Sequence, residues 1–345
     1  MKGIESLHNH TTLSDGKMSH AELFELAESL GFGVLAFTDH DAVPDDNMLA
    51  YLESVRTRPL KWVIGIEIST GLPPEAADGR SGDFHMIGLF VDPKNSALLE
   101  HCRKAQEARL ERMASMVANL QHLGFSVTEE DCLRMSGGES VGRPHIVSAL
   151  QAYPENAAVE ESLRLQMEEE SKSNPELAKR YALMMEQGPK QYPYALYLSP
   201  TSFRPAYAEH RYVPDMDEAV QLIRGAGGIA VIAHYFTIKR KLPLSLIEQF
   251  LKEKRLDGME TVYMPADAAS IEGEINADRA VLREFIARYG ALASGGSDAH
   301  TRDHVEWYAA SGEHEAEARG MAERMIASGR VTRKNSSLEP IVGIS

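Results

Sequence analysis

Cysteine is scarce in this sequence of 345 residues: only Cys102 and Cys132 are present, far apart and without a CxxC pair. Disulfides and thiolate metal chemistry are therefore not expected, and this usage fits a reducing cytoplasm. Long apolar runs are also missing, since no stretch approaches the roughly 18 residues of a membrane span. The N-terminus reaches His8, His10 and Asp15 at once, unlike the apolar core of a signal peptide. We expect a cytoplasmic protein without a membrane segment.

Basic residues are fewer than acidic ones: the sequence has 36 Lys and Arg residues and 51 Asp and Glu residues, giving a formal net charge of −15. An extended nucleic-acid surface needs a basic stripe and is therefore not expected. A small phosphorylated substrate is compatible with this balance, since divalent cations and a few arginines can create a local positive pocket. The chain has 13 histidines instead, several of them beside carboxylates. This composition favours a metal site.

Seven short apolar runs are typical of strands, and several alternate with helical patterns. They are Ile4–His8, Val34–Thr38, Trp62–Ile68, Phe84–Val91, Ile229–His234, Gly258–Tyr263 and Ala291–Ser294. Ser19 and Glu22 predict a capping box at the start of the first helix, and Gly31 is expected to end it. Strands and helices in series predict an α/β fold with a parallel sheet. Seven such units indicate an incomplete barrel.

The middle of the chain has a different pattern from the two ends. Residues 101–212 carry long helical patterns and no convincing strand, including an apolar stripe of Leu110, Met113, Met116, Val117 and Leu120. We therefore predict a helical insertion domain at 101–212, between two parts of a catalytic barrel formed by 1–100 and 213–345. The acidic run at 168–170 is interpreted as a solvated helix face.

Histidines and carboxylates recur where the predicted strands end. The first strand leads into His8 and His10, and residues two apart on a strand project from the same face, so both imidazoles can bind one cation. Further candidates accompany the loops and later strands: Asp15, His40, Glu67, His85, His234, Asp298 and His300. The C-terminal ends of parallel barrel strands share one rim, where catalytic residues gather. His85, early in its run, is the least regular. One such histidine is often incidental, but together they predict a metal site.

These motifs, found in order, resemble the polymerase-and-histidinol-phosphatase (PHP) family. The matching residues are His8-x-His10, Thr38-Asp39-His40, Glu67, His85, Ala233-His234 and Ser297-Asp298-x-His300. The resemblance covers about residues 3–100 and 213–305. The phrases Gly142-Arg143-Pro144-His145 and Gly227–His234 are most similar to a bacterial subgroup acting on nucleotide phosphates and cyclic phosphates, which also carries a helical insertion.

Two positions depart from the family pattern. Tyr235 follows His234 where proline is usual, and Ala299 stands where a larger residue is common. Neither change removes a metal ligand. Both are expected to alter the wall of the pocket, so they bear on the substrate more than on catalysis.

The resemblance implies a distorted seven-stranded (βα)7 barrel that binds two to three divalent metal ions. It implies three ligand groups: His8, His10, Glu67 and Asp298; Glu67, His85 and His234; and Asp15, His40 and His300. Nitrogen and oxygen ligands without thiolates suit Mn²⁺, Fe²⁺ and Zn²⁺, with Mn²⁺ expected first. Glu67 would bridge two ions.

The expected activity is hydrolysis of a small phosphorylated metabolite by a metal-bound hydroxide, with inorganic phosphate as a product. Nucleoside 3′,5′-bisphosphates, short oligonucleotides and cyclic phosphates are the candidate substrates. Glu67 is a candidate catalytic residue, with Arg143 as a phosphate clamp and His210 as the general acid. His145, Lys17 and Arg302 are candidate substrate contacts. Asp39 and Asp41 flank His40 and are expected to orient ligand rings.

Three alternatives stay open. The same rim could hydrolyse a C–N or C–O bond, as amidohydrolases do. It could hydrolyse histidinol phosphate, although the helical insertion is a closer match to the other subgroup. It could also be a metal-stabilised PHP module without activity, which the presence of all nine ligand residues disfavours.

Overall fold

In the computed structural model of this protein, the residues described are 3–76, 83–136, 141–209, 211–262, 272–311, 316–331 and 333–338. The chain divides into two compact units. The barrel unit consists of Met1–Lys104 and Val213–Ser345, and the helical unit consists of Ala105–Tyr212. No helix within the described ranges combines the length and apolarity needed to cross a membrane.

The strands belong to one sheet whose spatial order is the chain order. They are β1 (Glu5–Ser6), β2 (Val34–Phe37), β3 (Lys61–Gly71), β4 (Asp83–Leu89), β5 (Ile229–Ile232), β6 (Gly258–Val262) and β7 (Leu292–Gly295). Tyr263, which ends the sixth predicted run, lies outside the described residues.

The fourth strand departs from the predicted parallel sheet. β4 runs antiparallel to both β3 and β5, whereas the other neighbouring pairs are parallel. A parallel connection needs a crossover of about a dozen residues or more, usually a helix. The segment between β3 and β4 is shorter and contains only a 3₁₀ turn at Pro74–Ala76 among its described residues. The chain therefore folds back and reverses β4.

Backbone hydrogen bonds join the two ends of the sheet. The Leu7 N–H donates to the Gly295 carbonyl at 2.9 Å, and the Asp298 N–H donates to the His8 carbonyl at 3.0 Å. Gly296 permits this approach, because a Cβ at that position would lie 2.4 Å from the His8 nitrogen. The predicted distorted seven-stranded barrel is thus confirmed, with one strand reversed.

The described residues also form helices. They are α1 (His20–Ser29), α2 (Asp46–Ser54), α3 (Ser96–His122), α4 (Glu129–Ser136), α5 (Arg143–Gln151), α6 (Asn156–Ser171), α7 (Pro175–Gln187), α8 (Tyr192–Leu196), α9 (Met216–Gly225), α10 (Leu244–Lys252), α11 (Glu272–Tyr289), α12 (Arg302–Ala310) and α13 (Met321–Ala327). Four of them begin at a side-chain N-cap: α1, α2, α7 and α9. The capping box of α1 is formed, since the Ser19 N–H donates to Glu22 at 2.8 Å and the Ser19 Oγ accepts from the Glu22 N–H at 3.3 Å. Gly31 follows this helix with φ of +79°.

Each unit has its own apolar core. In the barrel unit, Leu23 and Phe24 of α1 pack in one cluster with strand residues such as Leu35 and Ile66, all of them buried. Burying each large apolar side chain contributes about 1.5–3 kcal/mol. The helical unit buries four of the five residues of the predicted α3 stripe. Leu110 is the exception, with 38% of its surface exposed.

The buried carboxylate of Glu5 in β1 forms hydrogen bonds with the start of α13, the last of these helices. The Glu5 Oε1 accepts from the Gly320 N–H at 2.7 Å, and its Oε2 accepts from the Ala322 N–H at 2.9 Å, at the N-terminus of α13. Burial raises the pKa of Glu5, although these backbone donors act in the opposite direction. The helix dipole also favours a negative charge at this end.

We expect Glu5→Ala to destabilise the fold by about 1–3 kcal/mol, because it leaves buried N–H donors without an acceptor. Urea denaturation of the full chain measures this change. Glu53→Ala removes an exposed carboxylate that pairs with the neighbouring Arg56 on the surface, and serves as the control. Equal stabilities for the two variants would contradict a structural role for Glu5.

Candidate metal centre

Glu67 lies on β3 at the centre of the histidine cluster, with only 1% of its surface exposed. Five imidazole nitrogens lie 3.1–3.3 Å from its two carboxylate oxygens: His8 Nε2, His85 Nδ1 and His234 Nε2 at Oε1, and His10 Nε2 and His40 Nδ1 at Oε2. One buried carboxylate is therefore in contact with five histidines from four different segments of the barrel.

The barrel topology explains why these residues meet. His8 and His10 follow β1, His40 follows β2, and His234 follows β5. His85 instead lies near the start of β4, which is the reversed strand, so its beginning lies at the rim where the parallel strands end. The irregular position of His85 in the sequence is therefore a direct consequence of the β3–β4 reversal.

Two further carboxylates lie beside the histidines. The Asp298 Oδ1, after β7, is 3.1 Å from His10 Nε2 and 3.4 Å from His8 Nε2. The Asp15 Oδ1, in the loop after β1, is 3.3 Å from His300 Nε2 and 3.6 Å from His10 Nδ1. All nine residues predicted as ligands thus lie within one connected cluster.

Burial and charge act in opposite directions on the acids of this cluster. Burial raises the pKa of Glu67, but the facing imidazoles, first His40 and then His8 and His85, bring it well below its ordinary value. The pKa of Asp298 is lowered in the same way, against its burial, by His8 and His10. Both carboxylates are therefore anionic at neutral pH.

Two neighbouring imidazoles respond differently to the same surroundings. Burial lowers the pKa of His10, yet hydrogen bonds to Asp298 and Glu67 raise it to about 10. Burial dominates at His40 and lowers its pKa to about 3, although Glu67 and Asp15 act to raise it. Their ring centroids are 4.5 Å apart. A neutral His40 has a lone pair available for a cation.

Several ring nitrogens in the cluster have the arrangement of metal ligands. The Nδ1 atoms of His10 and His40 are buried and lie near the Asp15 and Glu67 carboxylates, but they form no hydrogen bond with the described residues, which is unusual for buried polar atoms. The His8 and His10 Nε2 atoms are 3.2 Å apart, and His85 Nδ1 is 3.2 Å from His234 Nε2. A cation between such nitrogens would satisfy both lone pairs.

Seven of the nine candidate ligands, all except His234 and Asp298, fall into three compact groups, each with all ligand atoms within 4.8 Å of one another. Among the described residues these groups are His10, Asp15, His40 and His300; His8, His10 and Glu67; and His40, Glu67 and His85. Imidazole and carboxylate without thiolate suit Mn²⁺, Fe²⁺ or Zn²⁺. The residues present therefore fit divalent metal ions.

Backbone strain is concentrated beside the cluster. His234, Asp298 and Asp41 adopt positive φ values of 26°, 47° and 48°. Such conformations cost about 1–3 kcal/mol each and persist only where the surrounding structure holds them. Here they turn the chain sharply at strand ends and direct side chains toward the rim.

Glu260 on β6 is a site residue that the sequence pattern did not predict. Its Oε1 lies 3.1 Å from His8 Nδ1, and its Oε2 accepts the His234 N–H at 2.6 Å. A carboxylate on the far nitrogen of a ligating imidazole orients the ring and selects its tautomer. The available signal was a single charged residue inside a buried strand.

The two aspartates beside His40 contact backbone N–H groups and polar side chains of neighbouring segments. Asp39 accepts from the Thr11 N–H at 2.8 Å and from the Ser14 hydroxyl at 2.6 Å, which fixes the loop that carries Asp15. Asp41 accepts from the Ser69 N–H at 3.0 Å and contacts His101 at 3.2 Å.

The two positions that depart from the family pattern are both buried, and Tyr235 lines a small cavity together with Glu260. Tyr235 is buried, and its hydroxyl donates to the Leu242 carbonyl at 2.9 Å. Ala299 is fully buried and forms a bridge with Asn9. A small residue at 299 therefore allows the segment after β7 to pack closely against the segment after β1.

The predicted substrate contacts are distributed over both units. In the barrel unit the Lys17 side chain is exposed, and Arg302 is 59% exposed and paired with Glu306 at 3.4 Å. In the helical unit the His145 Nδ1 accepts from the Gly142 N–H at 3.0 Å at the start of α5. The Arg143 guanidinium lies beside two tyrosine rings of the same unit. His210 lies outside the described residues.

The family comparison agrees with this site. The PHP domain matches residues 6–218 of the chain. The chain therefore belongs to the PHP family, and it is an enzyme of the metal-dependent phosphoesterase class.

Three relatives span most of the chain. The 3′,5′-nucleoside bisphosphate phosphatase of Chromobacterium violaceum is 25% identical over 85% of this chain and 86% of its own length. The phosphoribosyl 1,2-cyclic phosphate 1,2-diphosphodiesterase of Eggerthella lenta is 25% identical over 86% and 94%. A 5′-3′ exoribonuclease of Haemophilus influenzae is 29% identical over 85% and 89%.

Two solved structures are similar in fold. An amidohydrolase from Chromobacterium violaceum, with bound sulfate and no metal, has a TM-score of 0.59 and 25% identity over 86% of this chain and 87% of its own. A protein from Bifidobacterium adolescentis has a TM-score of 0.63 and 23% identity over 95% and 96%, which supports the fold alone.

We expect Glu260→Gln to weaken metal binding by about 10–100-fold, as is usual when a partner of a ligating histidine is lost. The carboxylate of Glu260 uses one oxygen for the His234 N–H and the other for the His8 ring. A glutamine amide has a single oxygen, so it cannot accept from both groups. Metal content after dialysis against buffered Mn²⁺ measures the effect. The control is Glu306→Gln, which changes an exposed carboxylate of the same unit. Equal metal affinity in the two variants would exclude a positioning role for Glu260.

Proposed function

We propose that this enzyme hydrolyses phosphate esters of small metabolites, with nucleoside 3′,5′-bisphosphates first and short oligonucleotides and cyclic phosphates next. The observation that carries the proposal is the contact of Glu67 with five imidazoles, flanked by Asp15 and Asp298. Three anionic side chains among neutral and cationic rings form a site suited to several divalent cations. The named activities of the three relatives all concern phosphate esters.

The proposed ligands are the nine clustered residues. The ligand groups of the proposal are His8, His10, Glu67 and Asp298; Glu67, His85 and His234; and Asp15, His40 and His300. The site would hold two to three ions, Mn²⁺ or else Fe²⁺ or Zn²⁺. These ions would lower the pKa of bound water and neutralise charge on the phosphoryl group. Glu67 holds its negative charge at neutral pH, and Glu260 fixes the ring of His8.

Substrate recognition is proposed to involve cations of the chain. Arg143 presents a planar guanidinium suited to a phosphate, with His145 beside it in sequence. Lys17 and Arg302 are exposed cations near His10 and His300 in sequence, and His210 is the proposed general acid. The net charge of −15 favours small substrates over long nucleic acids.

A phosphate-release assay tests the substrate class. After reconstitution with Mn²⁺, we expect turnover of nucleoside 3′,5′-bisphosphates to exceed that of sugar phosphates and histidinol phosphate. Cyclic phosphates and short oligonucleotides belong to the same panel, with an amide substrate to represent C–N hydrolysis. Absence of phosphate release across the panel, with metal shown to be bound, would overturn the proposal.

Glu67→Gln tests the centre itself. Loss of the charge facing five imidazoles is expected to reduce metal content and to lower kcat/KM by about 100-fold or more. This effect exceeds the one usually seen when a residue that contacts only a metal ligand is replaced. Elemental analysis and the release assay measure the two effects. Glu5→Gln is a matched control, because Glu5 is equally buried in the barrel unit and contacts the start of α13. Full metal content and activity in Glu67→Gln would refute the bridging role.

A further inference from the structure

Asp41 holds the segment after β2 against β3 beside the metal centre. It follows His40 directly in the sequence. Its N–H donates to the Glu67 carbonyl at 2.8 Å, and its Oδ1 accepts from the Ser69 N–H at 3.0 Å. Glu67 and Ser69 lie two residues apart on β3, so the backbone and the carboxylate of Asp41 bind two successive points of this strand. The position of the segment after β2 relative to Glu67 therefore depends on Asp41.

Asp41 makes these contacts from an unfavourable conformation. Its backbone has a φ of 48°, which costs free energy for a residue with a Cβ. Its side chain is also buried, and a buried carboxylate costs free energy unless hydrogen-bond donors surround it. A strained and buried residue persists only where its neighbours hold it. The groups that contact this carboxylate therefore help to fix the segment that carries His40.

His101, in the part of α3 that belongs to the barrel unit, contacts the Asp41 carboxylate. The His101 Nε2 lies 3.2 Å from the Asp41 Oδ1, and only 1% of the His101 surface is exposed. An ionised carboxylate can only accept hydrogen bonds, so the Nε2 carries the proton and donates it. His101 is not one of the nine candidate ligands. Its contact with Asp41 connects a residue of α3 to the metal centre.

His40 is the candidate ligand that this arrangement holds in place. It forms a parallel bridge with Glu67, and its Nδ1 lies 3.1 Å from the Glu67 Oε2. Its ring also belongs to one compact group with His10, Asp15 and His300. Metal–ligand distances vary by only about 0.2 Å in a well-formed site. A small displacement of the segment after β2 would therefore take His40 out of reach of a bound ion.

We propose that His101 is a positioning residue of the metal centre: it holds Asp41, and Asp41 holds His40 in place for the ion of the group Asp15, His40 and His300. His101 does not bind the ion itself. This inference rests on the ligand groups of the proposed function. Replacement of a residue that supports a metal ligand usually changes metal affinity by about 10–100-fold. Loss of the His101 contact should therefore weaken the binding of one ion, while the ions of the other two groups stay bound.

Equilibrium dialysis of the full chain against Mn²⁺, with elemental analysis of the bound metal, tests this role. His101→Asn and His101→Gln carry the same amide group at two lengths. The longer side chain places its amide nitrogen near the position of the original Nε2 and can donate to Asp41, whereas the shorter one does not reach it. We expect His101→Asn to bind one Mn²⁺ about tenfold or more weakly than the wild type, and His101→Gln to restore much of that affinity.

His122→Asn is the matched control, because His122 is an exposed histidine at the end of the same helix. This variant should bind Mn²⁺ as the wild type does. Urea denaturation of the metal-free proteins measures their stability separately from their metal affinity. Equal losses of Mn²⁺ affinity in His101→Asn and His101→Gln would indicate a packing role for the ring and would overturn the proposal.

A double variant distinguishes positioning through Asp41 from an independent defect. Asp41→Gly removes the carboxylate, and glycine adopts a positive φ without strain, so the backbone path can be kept. If His101 acts through Asp41, adding His101→Asn to Asp41→Gly should cause little further loss of Mn²⁺ affinity, whereas independent effects would add. If His101→Asn does not fold, Asp41→Gly alone decides, because unchanged Mn²⁺ binding by this variant breaks the proposed link.

The outcomes separate this inference from the proposed function. Equal Mn²⁺ binding by the wild type and His101→Asn, or additive losses in the double variant, would overturn the positioning role. Phosphate release is a separate measurement. A wild type that binds Mn²⁺ but hydrolyses no substrate contradicts the proposed function alone, and unchanged metal binding in the variants of an active enzyme contradicts this inference alone.

Discussion

The contact between the Glu67 carboxylate and five imidazoles is the interaction on which the metal centre depends. A buried anion is costly unless opposite charges or hydrogen-bond donors surround it, and Glu67 is almost entirely buried. The five rings come from segments far apart in the chain, so the barrel must be closed before this carboxylate is satisfied. Folding and assembly of the centre are thereby coupled.

The reversal of β4 is the second feature that the centre requires. In an all-parallel barrel, a histidine near the start of the fourth strand would lie at the opposite end from the other ligands. The short connection after β3 turns the strand around and places His85 3.1 Å from Glu67. Gly296 has a comparable role at the seam, where it lets the chain after β7 approach His8. Both features bring residues to the rim of the barrel, and neither can be predicted from the ligand motifs alone.

Charge is distributed very unevenly in this acidic protein. In the barrel unit, carboxylates and imidazoles form a cluster whose anions would be offset by divalent cations. In the helical unit, Arg112 and Arg143 both lie against the Tyr207 ring. Buried charges cost free energy unless opposite charges or hydrogen-bond donors lie beside them.

The sequence by itself determined the family, the barrel, the capping of α1 and the set of nine clustered residues. These features are local: His8-x-His10 is a pair two residues apart, and Ser19 with Glu22 is a turn of helix. Only the tertiary structure decided the direction of β4, the buried roles of Tyr235 and Ala299, and the recruitment of Glu260. Strand direction and side-chain environment depend on contacts between distant segments, and a lone glutamate in an apolar strand has no spacing that reveals its partner. The proximity of Arg112 and Arg143 at the Tyr207 ring was hidden for the same reason, because α3 and α5 meet only in the folded helical unit.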